Sequence, residues 1–135
     1  MIKQKTFISN LLKKNKGAII IGSLGTISYD LQELDNGQNC ILPIKGAMGC
    51  SLGFALGYAM SVKHKVILLI GEGSLIMKMG SIATINRYRP KNLKVVILNN
   101  GKYASCGGQK NNANYILSNV LSHLPPRLYQ MLKVS

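Results

Sequence analysis

Two short apolar runs constrain this chain more than anything else in it. Val66 to Ile70 is bounded by Lys65 and Gly71 and contains no polar side chain; Leu93 to Leu98 is interrupted only by Lys94. Runs this short and apolar suit strands buried on both faces, which occur in parallel sheets covered by helices. Between them Leu75, Ile76, Met79, Ile82, Ala83 and Ile85 recur at helical spacing, and the pattern stops before Pro90. Strand, helix, strand is a crossover unit. Its right-handed path lays the two strands in one sheet with their carboxyl ends on one edge.

The rest of the chain extends this pattern. Phe7, Ile8, Leu11 and Leu12 mark one helix face, closed by Lys13, Lys14 and Lys16, which suit the negative end of the helix dipole. Ala18 to Ile21 reads as a strand, Ser28 to Leu34 as a helix, Asn36-Gly37 as a turn, Cys40 to Ile44 as a strand and Gly46 to Met60 as a Gly-rich helix. That helix lies within 17 uncharged residues, Gly46 to Val62, with Gly49, Gly53 and Gly57 at four-residue spacing. Seventeen helical residues span about 26 Å, less than the ~30 Å hydrocarbon core, so a buried helix packed closely on a neighbour is the reading, and no membrane span. After Gln109 the alternation fades. Asn111 to Asn114 reads as a polar loop and Tyr115 to Leu132 as helical with a break at Pro125-Pro126, with no further strand. Residues 1–135 therefore read as one α/β domain, three-layered around a mostly parallel, C-terminally shortened sheet. Its motifs lie within residues 18–109, and the tail, 110–135, reads as irregular or helical.

Charge narrows the partners. There are 17 basic and 4 acidic residues, a net +13, which favours either nucleic acid or an acidic protein surface. The aromatic residues do not interleave with the basic ones, so a stacking platform for nucleic acid is not indicated. The carboxylates are Asp30, Glu33, Asp35 and Glu72, few candidates for paired-carboxylate catalysis. Cys40, Cys50 and Cys106 form no C-x-x-C motif, and His64 and His123 are far apart. Neither a disulfide framework nor a zinc cluster is suggested, and reduced thiols fit a cytoplasmic protein. Met1 to Lys5 leads into an amphipathic stretch without the apolar region of a signal peptide.

In such sheets ligands bind beyond the carboxyl ends of the strands. The turn after the first run is Gly71-Glu72-Gly73-Ser74; 25 residues separate Gly73 from Asn99-Asn100, the end of the second. No G-x-x-x-x-G-K-[ST] occurs, and Ile76 breaks the G-x-G-x-x-G dinucleotide pattern. The crossover sets Glu72 beside Asn100. A carboxylate, an amide oxygen and a nearby backbone carbonyl make half an octahedron of hard oxygens, which suits Mg²⁺ bridging to a diphosphate. The glycines permit close backbone approach to such a group.

These residues carry a resemblance. Lys45-Gly46-Ala47-Met48-Gly49, then Gly71 through Gly80, then Gly107-Gly108-Gln109 resemble, in order, the C-terminal diphosphate-binding domain of thiamine diphosphate enzymes. They are most similar to its phosphonopyruvate and sulfopyruvate decarboxylase branch, over roughly Ala18 to Gln109. The resemblance implies the thiamine diphosphate-binding fold, with thiamine diphosphate and Mg²⁺ as cofactors. It implies Glu72, Asn100 and the Lys102 carbonyl as metal ligands, and Gly71, Gly73 and Ser74 along the diphosphate. It also implies Gly25 and Thr26 in a second diphosphate turn, the Gly46 carbonyl on the aminopyrimidine, and Met48, followed by Gly49, as the wedge that bends the cofactor. Glu72 stands where the family has aspartate, one methylene and about 1.5 Å longer.

By the same resemblance the chain is a decarboxylase subunit acting on a small, 3-substituted 2-keto acid. It carries no catalytic residue of its own. The activating glutamate comes from a separate pyrimidine-binding subunit, acidic to match the +13 chain and docked on the Gly49, Gly53, Gly57 helix face, so the assembly is an oligomer and the chain alone is inactive. Two other readings stand beside it: an acetolactate-synthase-like 2-keto-acid enzyme, and a truncated noncatalytic remnant that binds a partner.

Overall fold

A computed structural model describes residues 1–135. The elements are helix α1 (Gln4–Lys14), strand β1 (Ile19–Gly22), α2 (Thr26–Leu34), β2 (Cys40–Pro43), α3 (Ser51–Ser61), β3 (Val66–Gly71), α4 (Glu72–Met77), α5 (Ser81–Tyr88), β4 (Leu93–Asn99), α6 (Ala113–Leu121) and β5 (Tyr129–Lys133). A short 3₁₀ turn, Ala104–Cys106, lies between β4 and α6.

The sheet order is β2-β1-β3-β4-β5, and every pairing is parallel. Alternation along the strands divides the core into two layers. Ile20, Ile67, Leu69, Val96 and Leu98 face α1 and α2 through Ile8, Leu11, Leu12, Ile27 and Leu31. Ile19, Ile21, Val66, Leu68, Ile70, Val95 and Ile97 face α3 to α6 on the other side. β3 and β4 are nearly continuous in burial because both their faces are covered, which is why their sequences carry so few polar residues.

Three expectations are corrected. The tail holds a strand: β5 pairs Val95 with Tyr129 through to Asn99 with Lys133, so the sheet has five strands, and the helix before it is only Ala113–Leu121. β5 is an edge strand with half-exposed and exposed residues, so it lacks the apolar run that marks β3 and β4, and Pro125-Pro126 separates it from α6. The segment from Leu75 to Ile85 is two helices, because the chain turns at Lys78 to Gly80. The Gly-rich helix starts only at Ser51. Gly49 precedes it in the left-handed region (φ +82°), and the Gly53 and Gly57 Cβ positions meet nothing within 4 Å. α3 packs through Leu52, Ala55, Leu56 and Ala59, a stripe of spacing three and four, which leaves Gly53 and Gly57 on the exposed side and packed on no neighbour. No helix is long and apolar enough to cross a membrane.

Candidate functional site

β1 connects outward to β2 while β3 lies on its other side, so the strand order reverses between β1 and β3. A crevice opens at such a switch point, beyond the carboxyl ends of the strands. Here a small cleft, open to solvent, is lined by Leu24, Thr26 and Ile27 after β1, Gly71 to Ser74 at the end of β3, Asn100 and Lys102 to Cys106 after β4, and also by Met48. Buried serines fix the two strand ends: the Gly71 N–H donates to Ser23 Oγ at 3.2 Å, and Ser28 Oγ donates to the Ser23 carbonyl at 2.8 Å.

Glu72 opens α4 and is only 2% exposed. Its Oε2 accepts the Asn100 N–H at 3.3 Å; its Oε1 accepts the Lys102 N–H at 3.2 Å and the Asn111 side-chain amide at 2.9 Å. The Lys102 N–H also reaches Asn100 Oδ1 at 2.8 Å. The one ion pair in the protein is Lys5 with Glu33, so no basic side chain answers Glu72. A buried acidic group without a cationic partner, sharing the Lys102 N–H with the Asn100 side-chain oxygen, brings together two oxygens of the kind that hard divalent cations take. Oε2 accepts one hydrogen bond and keeps acceptor capacity for an ion.

The glycines of the two turns make room for different things. A Cβ on Gly71 would meet nothing within 4 Å, so this turn opens into the cleft. A Cβ on Gly73 would lie 2.9 Å from the Tyr103 ring and 3.8 Å from the Met48 methyl; one on Gly25 (φ +97°) would lie 2.6 Å from Ser105 Oγ. The loop after β4 therefore folds over both turns. It is closed by the Tyr103 N–H donating to the Gln109 carbonyl at 2.9 Å, with Gly107 and Gly108 at positive φ.

Of the residues singled out from sequence, Thr26, Met48, Gly71, Glu72, Gly73, Ser74, Asn100 and Lys102 share the cleft. Gly25 sits at its rim against Ser105. Gly46 is exposed on the turn before α3, and Gly49 is buried against Met77 and Lys78; neither lines the cleft. Sequence reasoning missed Gln4, Tyr103, Ser105 and Asn111. Gln4 comes from α1, far away in sequence, and its amide donates to Thr26 Oγ1 at 3.0 Å and Asp30 at 2.8 Å. No motif marks it; only the return of α1 to the carboxyl edge brings it there.

Comparison with known proteins identifies the family and the fold. Residues 21–130 match the family described as thiamine pyrophosphate enzyme, C-terminal TPP binding domain. The chain is 34% identical over 106 residues to the sulfopyruvate decarboxylase subunit beta of Methanocaldococcus jannaschii, covering 78% of this chain and 54% of that one. It is 34% identical over 95 residues to the phosphonopyruvate decarboxylase of Streptomyces viridochromogenes, covering 70% of this chain and 24% of that one. The chain thus spans about half of the first relative and about a quarter of the second. In fold it is similar to an enzyme from Mycobacterium smegmatis described as thiamin diphosphate-dependent, with a TM-score of 0.67 and 17% identity over 98% of this chain and 31% of that one.

Proposed function

The chain belongs to the thiamine pyrophosphate enzyme C-terminal TPP-binding domain family, and from that premise we propose that it is the diphosphate-binding subunit of a thiamine diphosphate- and Mg²⁺-dependent decarboxylase. The substrate class is a small 2-keto acid with an anionic 3-substituent, of the sulfopyruvate or phosphonopyruvate kind. One observation carries the reading: Glu72 and Asn100, which the motif spacing pairs, and Lys102, which the resemblance adds, line the switch-point cleft together with Gly71, Gly73 and Met48.

Thiamine diphosphate, when bound, supplies the carbon nucleophile and electron sink that let a 2-keto acid lose CO₂. The chain's own residues bind and orient it. Glu72, the Asn100 side-chain oxygen and the Lys102 carbonyl hold the Mg²⁺. Gly71, Gly73 and Ser74 line the diphosphate, and the first N–H groups of α2, around Gly25 and Thr26, offer unpaired donors to it. Met48, which lines the cleft, would press on the cofactor from the turn shaped by Gly49; the Gly46 carbonyl, which the resemblance assigns to the aminopyrimidine, lies outside the cleft lining and would meet only a part of the cofactor that extends beyond it. Asp30, Glu33 and Asp35 do not line the cleft; in this reading the activating glutamate that the family resemblance implies comes from a separate pyrimidine-binding subunit. That partner docks on the exposed Gly53 and Gly57 face of α3, where the chain has no charged residue from Gly46 to Val62. The excess positive charge elsewhere favours an acidic partner, and the assembly is a cytoplasmic hetero-oligomer.

The test is calorimetric titration of thiamine diphosphate with and without Mg²⁺, together with CO₂ release from sulfopyruvate and phosphonopyruvate, with and without the partner. Cofactor uptake that needs Mg²⁺ and turnover that needs the partner are expected. Turnover by the purified chain alone overturns the split site. No cofactor uptake even with the partner leaves the noncatalytic remnant.

A further inference from the structure

We infer that Asn111 is a positioning residue for Glu72: its side-chain amide fixes the orientation in which the Glu72 carboxyl group faces the cleft. The inference rests on the reading of Glu72 as a metal ligand, but it concerns a residue outside every motif that led to that reading.

Glutamate has one more rotatable bond than aspartate, so an oxygen at its tip has a defined place only if something holds the tip. Three donors do so here, and they are unequal. The Lys102 N–H is shared, 2.8 Å from Asn100 Oδ1 and 3.2 Å from Glu72 Oε1. The Asn100 N–H is 3.3 Å from Oε2. The Asn111 amide, at 2.9 Å, makes the shortest of the three bonds.

Asn111 is itself held at both ends. Its backbone N–H donates to the Gly101 carbonyl at 2.9 Å, and its Oδ1 accepts from the Ala113 N–H at 3.4 Å where α6 begins. With the oxygen turned to Ala113, the amide nitrogen is left for Glu72, so the network sets which end of the amide faces which partner. A second tie, the Asn99 amide to Asn114 Oδ1, fastens the start of α6, just after Asn111, to the end of β4. The loop thereby commits Oε1 to Lys102 and Asn111 and leaves Oε2 as the oxygen with spare acceptor capacity. Partners of this kind, which touch the ligand and not the ion, orient it and tune its affinity.

The experiment is a titration of the full chain with Mn²⁺ at saturating thiamine diphosphate, reading free Mn²⁺ by electron paramagnetic resonance. The proteins are the wild type, Asn111→Leu, Glu72→Gln and the double variant. Asn111→Leu is expected to bind Mn²⁺ about tenfold more weakly than the wild type. Added to Glu72→Gln it should change affinity less than about twofold, because it acts through the carboxylate. Equal affinity in the wild type and Asn111→Leu, or the same loss in both backgrounds, overturns the inference. Asn111→Ser, too short to reach Glu72, replaces Asn111→Leu should the latter fail to fold. Should the wild type alone take up no Mn²⁺, the titration is run with the partner subunit present, and no uptake there overturns the cofactor reading instead. Amide hydrogen exchange then still decides: faster exchange at Lys102 and Asn100 in the Asn111 variant supports the tether, and unchanged exchange sinks it.

Discussion

The Tyr103 ring stands 2.9 Å from the point at which a side chain on Gly73 would begin. Gly73 lies in α4, so alanine there should gain about 1 kcal/mol of helix propensity. The clash works against it, because overpacking costs about 1–3 kcal/mol. Gly73→Ala is therefore expected to lose stability despite its better helix former. Gly73→Ala combined with Tyr103→Ala should be less destabilised than the two single changes added together. Urea unfolding of the four proteins measures this. Strict additivity would mean that Tyr103 does not rest on Gly73 in solution.

Glu72→Gln keeps the shape of the side chain but turns one acceptor oxygen into a donor. At least one of the N–H groups of Asn100, Lys102 and Asn111 then faces a donor, at a cost of about 1–3 kcal/mol for a buried unpaired group. Mg²⁺-dependent binding of thiamine diphosphate should weaken sharply with the loss of the ligand charge. The family motif alone would favour Glu72→Asp as an improvement. The structure argues the opposite: a carboxylate drawn back by about 1.5 Å cannot keep both Lys102 and Asn111. Calorimetry on Glu72→Asp decides, and tighter cofactor binding than in the wild type would remove Asn111 and Lys102 from the argument.

Sequence reading reached the parts of the site whose signal is local. β3 and β4 are buried on both faces and so are written as apolar runs, and the crossover between them fixes the neighbourhood of Glu72 and Asn100 whatever else the chain does. β5 was not legible, because an edge strand needs no such run and Tyr129 to Lys133 mixes polar and apolar residues. Gln4 and Asn111 were not legible either. Each enters the site through a long-range hydrogen bond that leaves no period or spacing in the sequence. The packing of Gly53 and Gly57 on a neighbour was misread, because four-residue glycine spacing marks a close approach without saying whether the partner lies in the same chain.

Met48 is half-buried, with its methyl near Gly73, so it touches both the cleft and the protein around it. Burial of this degree limits the stability at stake: Met48→Ala should cost about 1–2 kcal/mol, less than a fully buried methionine. As the wedge that orients the cofactor it should matter more to turnover, since small misplacements of reacting groups cost about a hundredfold. Met48→Leu, which conserves volume, should retain most of the rate. The measurement is kcat with the partner present, set against the melting temperature of the same variants. A lowered melting temperature with unchanged kcat would make Met48 an ordinary packing residue.

Gly53 and Gly57 separate the stability of the chain from its assembly. Both lie inside α3, both are exposed, and a Cβ on either would meet nothing within 4 Å. In the chain alone each glycine only weakens the helix, so Gly53→Ala and Gly57→Ala should each add up to about 1 kcal/mol. For a protein of this size that is a rise of about 3–5 °C in Tm. If a partner helix lies against the stripe, the added methyl groups hold it away, and Gly53→Leu does so strongly. Affinity for the pyrimidine-binding subunit should then fall as the Tm of the isolated chain rises. The rate of association should also drop with added salt, because opposite fields steer the encounter and salt screens them. Analytical ultracentrifugation of mixtures and melting curves of the chain alone give the two numbers side by side. Alanine variants that melt higher and still assemble with unchanged affinity would move the docking site off α3, while leaving the cleft at Glu72 and Asn100 as it is.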